Sequence, residues 1–300
     1  MVLKSKSIAR ATAMIVLSSC GFGSLSTLTV LITRAGLPLL PAMLWRYLLA
    51  GGVLLFFTST ARGAVTRKQA LRLMLIGAFG QAVVTYFSLR ALDYMPVGPL
   101  AFLFYTYPAW IALIAAVTGR EELTPVRLGA LGLAMAGIVV MLGTPSADVM
   151  NVTGATLALG TAVLYALYLP ALHKAQEGIP PLVSTFYLVS GVFLSFLVAS
   201  VVTGSIEVPQ TLPIWGFLLA LSMIGTVLAF TALIAGLRTL GPVRTSIIAA
   251  IEPFFTALLG VVILRERFTV AMVAGGAMIA LAVMMLQWNA RTRIEIEPAA

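Results

Sequence analysis

Residues 107–124 read YPAWIALIAAVTGREELT, and residues 252–269 read EPFFTALLGVVILRERFT. Both stretches carry a proline at the second position, then an apolar run, an Arg-Glu pair and a final threonine. The second stretch begins 145 residues after the first, and the same offset aligns Ala91–Leu142 with Gly236–Gln287 without a gap. The chain is therefore predicted to contain a duplicated unit, in which an apolar helix, a charged turn and a second apolar helix follow one another.

The composition indicates a membrane protein. Hydrophobic residues make up 60% of the 300 residues and charged residues only 10%, which predicts a polytopic membrane protein. The net charge of +9 does not indicate nucleic-acid binding, because the lysine and arginine residues fall at the ends of apolar segments. A single cysteine and a single histidine exclude an internal disulfide bond and a multi-Cys/His metal site.

Hydropathy divides the chain into ten predicted spans, five in each copy of the duplicated unit. They cover residues 8–33, 41–59, 70–89, 96–117, 126–143, 153–173, 183–203, 213–236, 243–264 and 270–288. Because five is odd, the second copy must enter the membrane in the opposite orientation. The predicted fold is an all-α polytopic membrane protein with ten transmembrane helices as two inverted five-helix repeats. Its predicted divisions are a first repeat (1–143), a connection (144–150), a second repeat (151–288) and a tail (289–300).

Positive charges are distributed unequally between the two predicted faces of the membrane. Fourteen of the 19 lysine and arginine residues fall on the face that also holds both chain termini. Cytoplasmic loops carry the excess of positive charge in membrane proteins. The sequence therefore predicts a multi-pass protein of the cell inner (plasma) membrane with both termini in the cytoplasm.

The repeated pattern resembles the drug/metabolite transporter superfamily, in its ten-helix branch with two EamA-type repeats. The matching residues are Pro108, Glu121, Leu123, Thr124, Gly129, Gly132 and Gly137, and then Glu252, Pro253, Glu266, Thr269, Gly275 and Gly276. The resemblance covers residues 10–288 and implies secondary export of amino acids, drugs or other metabolites without a cofactor. The aromatic middle spans are most similar to those of bacterial aromatic amino acid exporters. The turn Arg120-Glu121-Glu122 departs from the family pattern, which more often has one acidic residue followed by a basic one.

Polar side chains recur at helical spacing on predicted spans three and six and surround a proline on span four. Such a helix face must turn away from lipid, because exposed polar groups lose their water there. The candidate substrate-binding residues are Gln81, Thr85, Tyr105, Tyr107, Trp110, Thr161, Tyr165, Tyr168 and Glu252. Glutamine and tyrosine favour a cavity, because they are large and amphipathic. The small residues of span one instead predict helix packing, as do Gly129, Gly132 and Ala136 on span five and Ala271 and Gly275 on span ten.

Pro108 and Pro253 each remove one backbone hydrogen bond, so both are predicted hinges beside the substrate site. Glu252 is the one acidic residue in the middle of a predicted span, where a carboxylate is costly. It would bind a substrate ammonium group or carry a proton. The alternative is a structural role, in which Glu252 hydrogen-bonds the backbone groups that Pro253 leaves without partners or forms an ion pair with Arg46. Arg46 itself is predicted to extend to the membrane interface, with carboxylate binding as the alternative.

These features predict a secondary transporter, not an enzyme, that exports small metabolites by alternating access. Amino acids with aromatic or other large neutral side chains are the predicted substrates. Efflux of lipophilic cations or drugs is an alternative, although no aspartate or glutamate precedes Asp93. An intramembrane enzyme or a structural membrane protein is the alternative from another class, but the sequence has no evident nucleophile–base pair or metal cluster. The predicted partners are a small-molecule substrate and the lipid bilayer, and the chain is predicted to be a monomer or weak homo-oligomer.

Overall fold

A computed structural model describes residues 2–59, 65–91, 93–95, 97–119, 123–143, 151–265 and 269–296. The helices are α1 (Val2–Arg34), α2 (Leu39–Phe57), α3 (Arg67–Leu75), α4 (Ala82–Ala91), α5 (Val97–Phe104), α6 (Tyr107–Thr118), α7 (Pro125–Leu142), α8 (Val152–Ala175), α9 (Pro181–Thr203), α10 (Leu212–Ser222), α11 (Ala229–Ala249), α12 (Glu252–Leu264) and α13 (Val270–Ile296). Two π-helical segments, Ile76–Gln81 and Met223–Leu228, join α3 to α4 and α10 to α11. The predicted connection 144–150 and the charged turns at 120–122 and 266–268 lie outside the described residues.

Eight helical segments of the described chain are long and apolar enough to cross a membrane. The last of them, Leu212–Ala249, has 38 residues and contains predicted span eight and the start of span nine. It breaks at Gly241, where φ is 74° and ψ is 169°, a combination essentially restricted to glycine. Two shorter apolar helices, Glu252–Leu264 and Val270–Leu286, follow it. The chain is thus an all-helical, multi-pass membrane protein in the part that the structure describes.

Predicted spans four and nine are each interrupted by a short break, and the two breaks fall at equivalent positions. The first separates Phe104 from Tyr107, and the second separates Ala249 from Glu252. Each boundary of the second break lies 145 residues after its counterpart, which is the offset of the sequence duplication. The duplication therefore extends from sequence to the detailed shape of the two helices.

The two breaks also share a backbone conformation. Thr106 has φ −74° and ψ −11°, and Ile251 has φ −75° and ψ −13°. Pro108 and Pro253 lie in the first turn of the helices that restart, where the amide hydrogen that proline lacks has no helical partner in any case. At each predicted hinge the helix is therefore interrupted, and the proline helps a new helix to begin.

The two π-helical segments each bring a glycine close to a helix of the other half of the chain. A Cβ atom at Gly77 would overlap the carbonyl oxygen of Leu188, and one at Gly225 would overlap the Leu25 side chain. Small residues permit such close helix contact inside a membrane. π-Helical turns often mark functional sites, because they interrupt the regular backbone hydrogen bonds. Each π-helical segment is therefore also a place where the two halves of the chain pack closely against each other.

Helices from the two halves pack in a reciprocal pattern. α1 packs against α11 and α12, while α8 packs against α4 and α6. α2 packs against α9, and α7 packs against α13. Ser19, Gly23 and Thr27 of span one are part of this packing, since Ser19 and Thr27 are buried and a Cβ atom at Gly23 would overlap the Phe255 side chain. Ser26 is exposed, so the packing interpretation of span one does not extend to that residue.

Glycines also bring α7 and α13 together. A Cβ atom at Gly137 would overlap the carbonyl oxygen of Gly275, and one at Gly275 would overlap that of Gly137. Gly129 lies near the end of the Met285 side chain. Apart from the backbone of its own helix, no atom of the described residues lies within 4 Å of the position that a Cβ atom of Gly132 would take, so the predicted packing role of Gly132 is wrong. That residue faces outward from the pair.

Candidate functional site

Aromatic side chains beside the first helix break form one continuous group, called the tyrosine cluster. Its members are Phe104, Tyr105, Tyr107, Tyr165 and Tyr168. The ring centroids of Tyr107 and Tyr165 lie 4.8 Å apart, and those of Tyr165 and Tyr168 lie 5.5 Å apart. The Phe104 ring lies within 5.6 Å of three of the tyrosine rings. Such separations are typical of stabilising aromatic pairs. The structure thus brings together the four tyrosines that the sequence analysis selected.

Glu252 reaches the tyrosine cluster from the second helix break. The Tyr105 hydroxyl group donates a hydrogen bond to Glu252 Oε1 over 3.3 Å. Because Glu252 is the first residue of α12, its carboxylate lies at the positive end of that helix. A carboxyl group is therefore held among phenol groups where the two interrupted helices meet.

The hydroxyl group of Tyr168 lies in the protein interior. Tyr168 is 4% exposed, and its hydroxyl is buried without a hydrogen bond to any described residue. An unsatisfied buried donor is costly, so this position favours a bound polar molecule or water. A Cβ atom at Gly80 would overlap the Tyr168 ring, and both residues line a groove of about 830 Å³ between α3 and α8. Tyr168 is the one member of the cluster in the described lining of this groove, so the groove reaches the edge of the cluster.

The other predicted binding residues satisfy their polar groups locally or pack into the core. Gln81 Nε2 donates to Thr85 Oγ1 over 3.4 Å, and Thr85 Oγ1 donates to the Gln81 carbonyl oxygen over 2.8 Å. Thr161 is buried, and its hydroxyl donates to the Leu157 carbonyl oxygen of its own helix. Trp110 packs against the apolar core. Within the described residues, no hydrogen bond or ring pair joins these four candidates to the tyrosine cluster.

Arg46 does not extend to the membrane interface, so that prediction is wrong. It is 5% exposed, its Nε donates to Thr226 Oγ1 over 2.7 Å, and its Nη2 donates to the Gly225 carbonyl oxygen over 3.0 Å. Its guanidinium carbon lies 4.8 Å from the centre of the Tyr47 ring, within cation–π range. Both acceptors belong to the π-helical segment Met223–Leu228. Arg46 therefore joins α2 to the second half of the chain, and the described residues contain no ion pair between it and Glu252.

Two residues of the site were not predicted. Phe104 completes the tyrosine cluster, but in the sequence it cannot be distinguished from phenylalanines that face lipid. Gly80 matters because its missing side chain leaves room for the Tyr168 ring. The spacing of three residues between Gly77 and Gly80 was an available signal, since small residues at helical spacing form a face that a neighbouring side chain can approach.

Comparisons with known proteins agree with this architecture. The EamA-like transporter family matches the chain at residues 10–143 and again at residues 152–288. An uncharacterized transporter of Archaeoglobus fulgidus is 26% identical over 204 residues, which are 67% of this chain and 70% of that protein. The uncharacterized transporter YyaM of Bacillus subtilis is 23% identical over 225 residues, which are 72% of this chain and 73% of that protein.

A solved crystal structure has the same fold, with a TM-score of 0.75 at 20% sequence identity. The similarity covers 95% of this chain and 98% of the other, so it extends across the whole helical bundle. The match to the EamA-like transporter family covers both halves of the chain and leaves out little more than the connection between them and the two ends. The protein therefore belongs to the EamA-like transporter family and is a membrane transporter.

Proposed function

We propose that the protein exports small metabolites by secondary transport, and that its substrates are amino acids with aromatic or other large neutral side chains. The observation that carries this proposal is the Tyr105–Glu252 hydrogen bond of 3.3 Å inside the tyrosine cluster. It combines a carboxyl group, phenol hydroxyl groups and aromatic rings at the meeting point of two interrupted helices. These three kinds of group can bind the ammonium group, the carboxylate group and the side chain of a large neutral amino acid.

Each part of such a substrate has a counterpart in the site. The Glu252 carboxylate would bind the ammonium group, and the Tyr168 hydroxyl would donate to the carboxylate group. The rings of Tyr107 and Tyr165 would pack against the substrate side chain. Interrupted helices in transporters also supply free backbone groups to ions and substrates. Each buried methylene contributes about 0.8 kcal/mol, so this site favours large side chains over small ones.

The proposed mechanism is alternating access between two inverted five-helix repeats, which together have ten spans. The equal positions of the helix breaks, the matching angles of Thr106 and Ile251, and the reciprocal packing of α1 and α8 support this arrangement. Transporters of this design bind their substrate between the repeats, near the middle of the membrane. Tyr105 belongs to the first repeat and Glu252 to the second, as a site between repeats requires.

Reporter fusions test the proposed orientation in the inner membrane. Fusions after Arg67, Arg127 and Arg238 are expected to report the cytoplasm, and fusions after Arg34 and Glu207 the outside. The physical reason is that 14 of the 19 lysine and arginine residues lie on the proposed cytoplasmic face. The measurement is the ratio between a reporter active only in the cytoplasm and one active only outside. An outside N-terminus, or two repeats that run in the same direction, contradicts the proposal.

Efflux of lipophilic cations is a second candidate function, because a carboxylate among aromatic rings also suits an organic cation. Counterflow in proteoliposomes separates the two functions. Vesicles loaded with an unlabelled large neutral amino acid are expected to accumulate the labelled compound well above protein-free vesicles. Glycine and lipophilic cations are expected to accumulate far less. Accumulation of cations alone would replace amino acid export with the second function.

A further inference from the structure

A second cavity, called the vestibule, lies between α6, α8 and the region of α11 around Gly241. Its volume is about 550 Å³. The inner wall is apolar and includes Ile111, which is 1% exposed, and Leu240. The outer rim carries ionisable side chains, among them Lys174 and Arg238, both exposed. The vestibule therefore has an apolar interior and a charged mouth.

The vestibule is lined by α6 and α8, two helices that also carry residues of the tyrosine cluster. Ile111 lies about one turn beyond Tyr107 on α6, and Thr118, at the far end of that wall, lies roughly 16 Å of helix rise from Tyr107. On α8, His173 follows Tyr168 by five residues and lines the vestibule. The vestibule thus lies further along both helices than the cluster, on the side of the helix ends that the proposed orientation places in the cytoplasm.

The charges at the mouth are unequal and unpaired. Lys174 and Arg238 are positive, and Glu177 is the one acidic residue of the vestibule lining. Among the described residues, none of these three forms an ion pair. Arg238 Nη1 donates to the Ile179 carbonyl oxygen over 3.4 Å, which orients the guanidinium group at the rim. The mouth therefore has an excess of positive charge that is available to an anionic group.

His173 adds a polar position inside the mouth. Its Nδ1 atom is buried and has no hydrogen-bond partner among the described residues. An unsatisfied buried polar atom is costly, so a polar group bound beside it would remove that cost. The histidine lies on the same helix as Lys174 and one residue before it. Cationic and polar groups are thus gathered above an apolar wall.

We propose that the vestibule is a loading site for substrates that carry a carboxylate group. Arg238 and Lys174 bind the carboxylate, and the apolar wall around Ile111 receives the substrate side chain. This inference rests on the proposed export function and narrows its substrate class. The same excess of positive charge repels organic cations, so the vestibule selects amino acids over lipophilic cations before either reaches Glu252.

The electrostatic part is tested with a cysteine introduced into the vestibule of the full-length protein. Thr239→Cys is made with Cys20→Ser, because Thr239 is exposed and lines the vestibule. Its rates of reaction with an anionic and a cationic thiosulfonate are measured in detergent, where both faces are reachable. Lys174→Gln is expected to slow the anionic reagent and speed the cationic one by about twofold to threefold each, the order of effect of one nearby charge in water.

Two matched variants control this measurement. Glu177→Gln should change both rates in the opposite sense, because it removes a negative charge from the same mouth. Lys68→Gln should leave both rates unchanged, because Lys68 lines the separate groove beside α3. If Lys174→Gln and Lys68→Gln give the same rates, the mouth has no field that acts on ligands, and the proposal is overturned.

Protection experiments test the carboxylate itself. A large neutral amino acid is expected to slow labelling at position 239 at least about threefold, whereas the corresponding amine without the carboxylate is not. Equal protection by both compounds, or by neither, overturns the loading site. Counterflow of the unmodified protein keeps the two proposals distinguishable. Protection without any counterflow rejects export and keeps the vestibule as a binding site, whereas counterflow without protection rejects the vestibule alone.

Discussion

Glu252→Gln is expected to lower counterflow of large neutral amino acids about 100-fold while the amount of folded protein in the membrane stays near that of the unmodified protein. An interaction with a charged group contributes about 1.5–3 kcal/mol, and about 1.4 kcal/mol corresponds to a factor of ten. The amide has nearly the same size as the carboxyl group and can still accept the Tyr105 hydrogen bond of 3.3 Å. Packing is therefore preserved, and the change removes only the negative charge. The measurement is initial counterflow per folded protein.

Two further variants separate a binding role from a structural one. Glu207→Gln removes the charge of an exposed glutamate between α9 and α10 and should leave counterflow unchanged. Tyr105→Phe removes the hydrogen bond but not the charge and should cost about tenfold or less. A structural Glu252 would reveal itself as loss of folded protein before any loss of specific activity. Full counterflow in Glu252→Gln, with an unchanged pH dependence, rules out both ammonium binding and proton coupling by this residue.

Long apolar segments with clear punctuation were predictable from sequence. The structure begins α7 at Pro125 and α9 at Pro181, each within two residues of the predicted span. A run of apolar residues bounded by glycine or proline forms a helix in a membrane, because every backbone group must find its hydrogen-bond partner within the protein. The breaks after Phe104 and Ala249 were not predictable. A proline can kink a helix or start a new one, and packing around the break decides between the two.

The site shows the same division between local and tertiary information. Helical spacing was enough to select Tyr165 and Tyr168, because residues three apart share a helix face. It was not enough for Gln81, whose amide bonds Thr85 on its own helix. Arg46 was misjudged for a different reason. Its hydrogen-bond acceptor Thr226 lies 180 residues away in a π-helical segment, and no sequence pattern near Arg46 indicates that partner.

The contacts that α2 and α9 make with the opposite half of the chain differ in chemistry. Arg46 reaches the π-helical segment of the second half through its side chain, whereas Gly191 lies so close to α3 that a Cβ atom would overlap the Met74 carbonyl oxygen. One interface is therefore held by buried hydrogen bonds to a charged group and the other by close backbone packing.

Tyr165→Ala is expected to raise the half-saturating concentration of an aromatic amino acid about tenfold to 100-fold, and that of alanine less than about threefold. Full burial of a large apolar side chain contributes about 1.5–3 kcal/mol, and a ring pair adds about 0.5–1.5 kcal/mol. The Tyr165 ring lies centrally in the tyrosine cluster, 4.8 Å from the Tyr107 ring and 5.5 Å from the Tyr168 ring. Its removal therefore takes away an aromatic wall while Glu252 and the hydroxyl groups of its neighbours remain. The measurement is the concentration dependence of counterflow for both substrates.

Tyr86→Ala is the matched control, because Tyr86 is 55% exposed at the outer surface of the bundle and its ring pairs only with Phe87 among the described residues. It should leave the half-saturating concentration of both substrates unchanged. Tyr165→Phe retains the ring and should keep the preference for aromatic substrates, which separates the ring from its hydroxyl group. Folded protein is measured by size-exclusion chromatography for every variant, since removing a core ring also lowers stability. An equal loss for alanine and for the aromatic amino acid in Tyr165→Ala would show that the cluster supports the helices and that the substrate side chain binds elsewhere.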